Sequence, residues 1–129
     1  MQHWDLSPAI QPSGQDGPFV LFSTPEARGI VIALAQGRQL GEHRVRERAI
    51  VCVLDGSVEL TADGTTLAGY SGTVTTFDPS EAHAIRALED SRLLVVLAPW
   101  PARGHALESD DATALPAHAT WPRADVADG

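Results

Sequence analysis

Cysteine occurs once in this sequence, at Cys52, which excludes an internal disulfide framework and any zinc site built from several thiolates. That scarcity fits a reducing compartment, and cytoplasm is the expected location. Positive charge is scarce as well: 9 Lys and Arg face 17 Asp and Glu, giving a formal net charge of -8 and a pI near 4.9. Neither nucleic acid nor an anionic membrane surface is an expected partner, since both repel an acidic protein at long range. Long apolar runs are missing. The longest, Leu93 to Pro99, is far short of the roughly 20 residues that span a bilayer, and Met1 to Pro8 lack the basic-then-apolar order of a secretory signal. A soluble chain of one domain is expected, because 129 residues with 43% hydrophobic content suffice for one core and not for two ordinary ones.

Helical periodicity is the last absence. Between Phe19 and Ala98 short runs rich in Val, Ile, Leu and Thr alternate with Gly, Asp, Ser or Pro, at the spacing of about 8 to 12 residues that marks a sandwich or barrel. Strands are predicted at Phe19–Phe22, Gly29–Ala35, Ala49–Leu54, Val58–Thr61, Thr65–Leu67, Thr73–Phe77, His83–Leu88 and Arg92–Leu97, each richer in β-branched residues than a helix of that length would be. Asp55-Gly56 and Asp63-Gly64 have the chemistry of tight hairpins, which would make Ala49–Leu67 a three-stranded meander. Glu89-Asp90 is a weaker hairpin signal.

The two ends differ from the middle. Residues 1–18 carry Pro8, Pro12, Gly14, Gly17 and Pro18 and read as an extended arm, because such breakers forbid a long helix or a central strand. Residues 19–98 form the barrel. Residues 99–129 are a tail rich in Pro, Ala and Asp, with a short helix conceivable around His105–Ala114. Trp4, Trp100 and Trp121 lie in these ends, where large aromatics serve as anchors onto a barrel or a neighbouring subunit or, alternatively, line an apolar pocket.

Two glycine-punctuated segments carry histidines. The stretch from Gly37 through His43, Val45 and Ala49 to Gly56 resembles the first motif of the cupin family, G-x5-H-x-H-x3,4-E-x6-G. Gly37, His43 and Gly56 are in register with it, while Val45 and Ala49 replace the second histidine and the glutamate. The stretch from Gly72 to Ala87 resembles the second motif, G-x5-P-x-G-x2-H-x3-N. Gly72 and His83 match, the proline is displaced to Pro79, and Ser80 and Ala87 replace the glycine and the asparagine. The resemblance implies an all-β double-stranded β-helix, a jelly roll of six to eight strands with a pocket between its sheets. It names no reaction, because the family spans metal-dependent oxygenases, isomerases, metal-free enzymes, storage proteins and ligand sensors.

Alternation puts Ala49, Val51 and Val53 on the face expected for His43 and Val45, with Ile50, Cys52 and Leu54 opposite. Both faces are apolar. The outer one therefore calls for a covering layer, either an arm or a second subunit, and a homodimer is expected. Cys52 on that face reads as a small hydrophobe.

The candidate pocket is lined by His43, Val45, Ala49, Val51, Phe77, His83 and Ile85. His43 and His83 are the candidate ligands of a single divalent transition metal (Fe, Mn, Ni, Cu or Zn). Such an ion needs three or four convergent donors, and the motif supplies two. Glu47, Glu81 or Asp78 could be recruited, or Glu42, Glu47 and Glu81 could be solvated loop carboxylates. His3, His105 and His118 read as surface residues, and so does Arg86. Arg44, Arg46 and Arg48 alternate beside His43 and form either a solvated face or a patch for an anionic carboxylate at the barrel rim.

Two functions follow. One is a binding module that holds a small organic molecule, with the histidines as orienting groups and no metal. The other is a metal-dependent enzyme, dioxygenase- or isomerase-like, using His43, His83 and a non-standard ligand such as Glu47.

Overall fold

The computed structural model describes residues 1–7, 18–43 and 45–102, of which 41–43 enter as backbone. Nine strands run through them: β1 (Phe19–Ser23), β2 (Arg28–Leu34), β3 (Gln39–His43), β4 (Arg48–Asp55), β5 (Ser57–Ala62), β6 (Thr65–Tyr70), β7 (Val74–Phe77), β8 (His83–Ala87) and β9 (Ser91–Ala98). They pair antiparallel into a five-stranded sheet, β1-β2-β9-β4-β7, and a four-stranded sheet, β3-β8-β5-β6. This is the all-β, two-sheet jelly roll expected, with one strand more than the resemblance implied. The extra strand is β3, whose sequence Gln-Leu-Gly-Glu-His lacks β-branched residues. It forms because it borders β8, not because its own residues favour extension. No helix among the described residues is long and apolar enough to cross a membrane.

Two expected hairpins prove to be crossings between sheets. β4 pairs with β7 and β9, and β5 pairs with β6 and β8, so Asp55-Gly56 carries the chain from one sheet to the other and Ala49–Leu67 is not a meander. Glu89-Asp90 likewise links β8 to β9 across the sandwich. A left-handed glycine turns a chain sharply whether the next strand pairs or departs, so local chemistry does not distinguish the two outcomes. Asp63-Gly64 is the true hairpin, with φ of 50° and 76°, the pair of positive values that a type I′ turn requires.

Gly56 shows why the crossing needs glycine. Its φ is 90°, and an added Cβ would stand 2.7 Å from Ser91 Cα and 2.5 Å from Asp90 O, with Ser91 Oγ closer still. The first turn of β9 is therefore packed directly on the crossing.

The interior is apolar and closely packed. Ile30, Ile32 and Leu34 of β2, Ala49, Val51 and Val53 of β4, Leu93, Val95 and Leu97 of β9, and Val58, Leu60, Ile85 and Ala87 of the other sheet belong to one buried cluster. The predicted alternation in β4 holds: Ile50, Cys52 and Leu54 face outward and are half-buried. On the outer face of the larger sheet Phe19 and Val31 form a second cluster with Trp4, Leu6, Leu21, Leu54 and Leu94. The amino-terminal arm thus supplies covering for that face. Trp4 stacks on Phe22 at 5.7 Å between ring centroids, and the buried Arg92 guanidinium ties Leu6 O at 2.6 Å while pairing with Asp55.

Candidate functional site

Polar chemistry collects at one end of this barrel. There the turn at 24–27, the β3–β4 connection, the β5–β6 hairpin, the β7–β8 turn and the segment after β9 come together. Ser80 N donates to Val45 O at 2.7 Å and Trp100 N to Pro25 O at 3.4 Å, tying neighbouring loops to one another. Cross-strand register supplies two facing rows. One runs Arg28, Leu97, Ala49, Phe77 across the larger sheet; the other runs Ala62, His83, His43 across the smaller.

His83 is 4% exposed, and Phe77 stacks flat against its ring, with centroids 4.2 Å apart and planes 8° from parallel. His83 Nδ1 lies 3.1 Å from Glu81 O. A carbonyl only accepts, so Nδ1 carries the proton and, in the neutral ring, Nε2 presents the lone pair. The turn that delivers this carbonyl is held by Glu81 Oε1, which accepts from Asp78 N at 2.9 Å. Asp78 in turn accepts from Arg48 at 3.0 Å. Both acids are thus engaged at this turn. Ser80, standing where the motif has glycine, keeps the left-handed backbone with φ of 65°, at a cost of about 1–2 kcal/mol that the turn's hydrogen bonds must offset.

Glu47 corrects the expectation of a solvated carboxylate. It is 0% exposed, and its Oε2 accepts a hydrogen bond from Ala102 N at 2.7 Å. The segment after β9 therefore crosses the barrel end as a strap, pinned at Ala102 by Glu47 and at Trp100 by Arg28. Burying a carboxylate is unfavourable unless it is hydrogen-bonded, so the strap and the carboxylate depend on each other. Glu47 precedes β4 in a polar stretch, and nothing local in the sequence indicates that residues 99–102 return over it.

Arg28 was missed altogether. Its residue is 8% exposed, its guanidinium carbon lies 4.6 Å from the Trp100 ring centroid, and its Nε is buried without a hydrogen-bond partner. No ion pair to Arg28 forms among the described residues. Burial pushes its pKa down from the ordinary arginine value, though a guanidinium stays charged at neutral pH. The cation–π contact is worth about 0.5–2 kcal/mol, and of the guanidinium nitrogens only Nε is buried without a partner. A signal existed: Arg28, Ile30 and Ile32 alternate, so an arginine begins an inward-facing row.

The remaining candidates divide as follows. Val45, Ala49 and Val51 are each 2% exposed, Ile85 equally so, and all four belong to the packed core. Phe77 also borders a cavity of about 140 Å³ between the free edges of β6 and β7, lined by Leu60, Ala62, Thr65, Leu67, Thr75, Thr76 and Glu81 as well. His43 pairs in register with His83, after an irregularity in β3 that follows Leu40. The metal motif's two altered positions are thus filled with apolar core, and among the described residues no three His, Cys, Asp or Glu side chains come together. The described donors do not complete a metal site.

Of the arginine run beside His43, Arg46 and Arg48 are exposed while Val45, Glu47 and Ala49 between and beside them are buried, as a solvated face requires. Arg48 pairs with Asp78 at the surface, and Arg44 lies outside the described residues. Arg86 is a surface charge, 3.5 Å from Glu59. His3 is exposed; His105, His118, Trp121 and the conceivable helix at His105–Ala114 lie outside the described residues.

No family model and no curated protein matches the sequence. Solved structures do. A conserved protein of unknown function from Streptococcus pyogenes is 25% identical, with a TM-score of 0.65 over 73% of this chain and 83% of that one. An RmlC-like cupin protein from Desulfovibrio desulfuricans is 21% identical, with a TM-score of 0.67 over 77% of this chain and 97% of that one. An uncharacterised protein with a double-stranded β-helix domain from Klebsiella pneumoniae is 17% identical, with a TM-score of 0.67 over 81% and 94%. At these identities the likeness establishes the fold and leaves the chemistry to the residues described above.

Proposed function

From a chain with the double-stranded β-helix fold of the RmlC-like cupin proteins, we propose a barrel that binds a small organic molecule at its strapped end, without needing a metal. One observation carries this reading: of the five buried polar residues among those described, three, Arg28, Glu47 and His83, lie at the same end of the barrel, while Ser91 and Arg92 lie at the other. Buried polar groups in a small core oppose folding unless each is satisfied, and a few of them converging in an apolar pocket are the usual arrangement of a ligand site. His83, held by Glu81 O and Phe77, is the orienting group, and Phe77 is the apolar wall it shares with the adjoining cavity.

A second reading rests on the same two buried groups. Glu47 is a fully buried carboxylate, and the His83 tautomer turns a lone pair to Nε2, so with His43 opposite in register these three residues would be the ones to hold a divalent ion. Elemental analysis separates the readings, using the full chain purified without chelator or histidine tag, before and after incubation with Fe, Mn, Ni, Cu or Zn. The proposal expects well under one equivalent of metal, equal in wild type and in the His43→Ala, His83→Ala double variant. Near-stoichiometric metal that vanishes in the double variant would sink the metal-free module.

A further inference from the structure

We propose that the barrel pairs with a second copy of this chain through the outer edge of β6, antiparallel about a two-fold axis. The two four-stranded sheets then join into one continuous sheet, and each copy closes the mouth of the other's cavity between β6 and β7. The inference is independent of the ligand-binding reading above.

The four sheet edges are not alike. A free edge is a template for another chain, and proteins blunt it with bulges, charges, prolines or a covering segment. β1 breaks register between Val20 and Phe22 and has Trp4 stacked on its Phe22. β3 breaks register after Leu40 and contains Glu42. β6 and β7 have none of these devices. They pair in unbroken register with β5 and β4, and from Thr65 to Phe77 the sequence holds no charged residue and no proline. Among the described residues no strand pairs with the far side of either.

The same stretch presents apolar side chains to water. Leu67, Tyr70 and Val74 are 60%, 61% and 61% exposed, and Leu67 also lines the cavity of about 140 Å³ that opens between the two edges. Apolar side chains grouped at a surface in this way mark an interaction site. β6 is the longer of the two edges, with six residues against four in β7, and all of it except Gly69 is exposed.

Charge selects a second copy as the partner. A chain of net charge -8 repels its own kind at long range, so two copies meet at least cost where neither presents an acid. The Thr65–Phe77 stretch is such a place, and Glu59 on the adjoining strand is already paired with Arg86. A two-fold axis makes the contact self-complementary, since the same strand serves on both sides and the assembly closes at two. The rival surface, the outer face of the larger sheet, is packed under Trp4 and Leu6 of the arm.

Sedimentation equilibrium of the full chain, from about 1 to about 500 μM, tests the proposal. A species of twice the 13.7 kDa chain mass is expected to form as concentration rises. Leu67→Lys and Tyr70→Lys should each weaken it about tenfold or more, because they set like charges against one another at the axis and remove buried apolar area. Leu88→Lys, at an exposed apolar residue outside these edges, should dimerise as wild type does. Hydrogen exchange on the unaltered protein reads the interface without substitution: β6 amides should gain protection with concentration, and β1 and β3 amides should not. A monomer throughout would overturn the proposal and leave the edges to an extended segment of another protein. Growth past the dimer, full affinity in Leu67→Lys, or protection of β1 or β3 in place of β6 would overturn it as well.

Discussion

Glu47→Ala is expected to lose about 2–3 kcal/mol of stability, the range for a buried hydrogen bond to a charged group. For a domain of this size that is roughly 10 °C in melting temperature. The cause is specific: the substitution strands Ala102 N–H, whose acceptor is Glu47 Oε2 at 2.7 Å, and empties a site that is 0% exposed. With the latch gone the strap should loosen, so Trp100 fluorescence should shift to the red well below the global transition. Glu47→Gln keeps an acceptor oxygen and should lose less than half as much. A Glu47→Ala protein that melts within about 2 °C of wild type would contradict the strap.

Gly56→Ala should be the most damaging single methyl group in the barrel, with an expected loss of about 3–5 kcal/mol. Part comes from holding an L residue at φ of 90°, worth about 1–2 kcal/mol. The larger part comes from collision with backbone, since the new Cβ would stand 2.7 Å from Ser91 Cα and 2.5 Å from Asp90 O, neither of which can swing aside as a flexible side chain could. Gly64→Ala is the internal control: it too has positive φ, at 76°, but its Cβ would meet nothing within 4 Å, so about 1 kcal/mol is expected. Chemical denaturation of both variants measures the difference. Equal losses would mean that left-handed strain, and not the packing of β9 on the crossing, is what Gly56 relieves.

This contrast shows which parts of the fold were legible. Strand positions and the inward set in β4 follow from alternation, a local property, and Ala49, Val51 and Val53 are where it puts them. The glycines of the two motifs marked real left-handed turns at Gly37, Gly56 and Gly72. Their consequence was not local: Asp55-Gly56 and Asp63-Gly64 look alike as dipeptides, yet one changes sheets and the other closes a hairpin, because partners distant in sequence decide. Strand β3 was illegible for the same reason, being extended by its neighbour.

The candidate site was legible by half. His83 and Phe77 lie in the stretch that resembles the second motif, and their rings stack on each other. Glu47 emerged only as a possible recruited ligand and Arg28 not at all, because the burial of each depends on Ala102 or Trp100, more than 50 residues away in sequence. A carboxylate in a polar loop and an arginine at a strand's first residue both read as solvated until a distant segment closes over them. Val45 and Ala49 were the sharpest signals of all, since their apolar side chains replace motif ligands and are now part of the packed core.

The central claim is that this end of the barrel is where a ligand binds, and the indole N–H signals of the full chain in ¹H–¹⁵N spectra test it most directly. Trp100 lies over Arg28 at the strapped end, while Trp4 lies on Phe22 under the arm. On titration with a small organic molecule that binds, the Trp100 indole should move and saturate with one affinity, leaving Trp4 in place. Saturable binding that moves Trp4 and leaves Trp100 unchanged would put the ligand elsewhere and contradict the account.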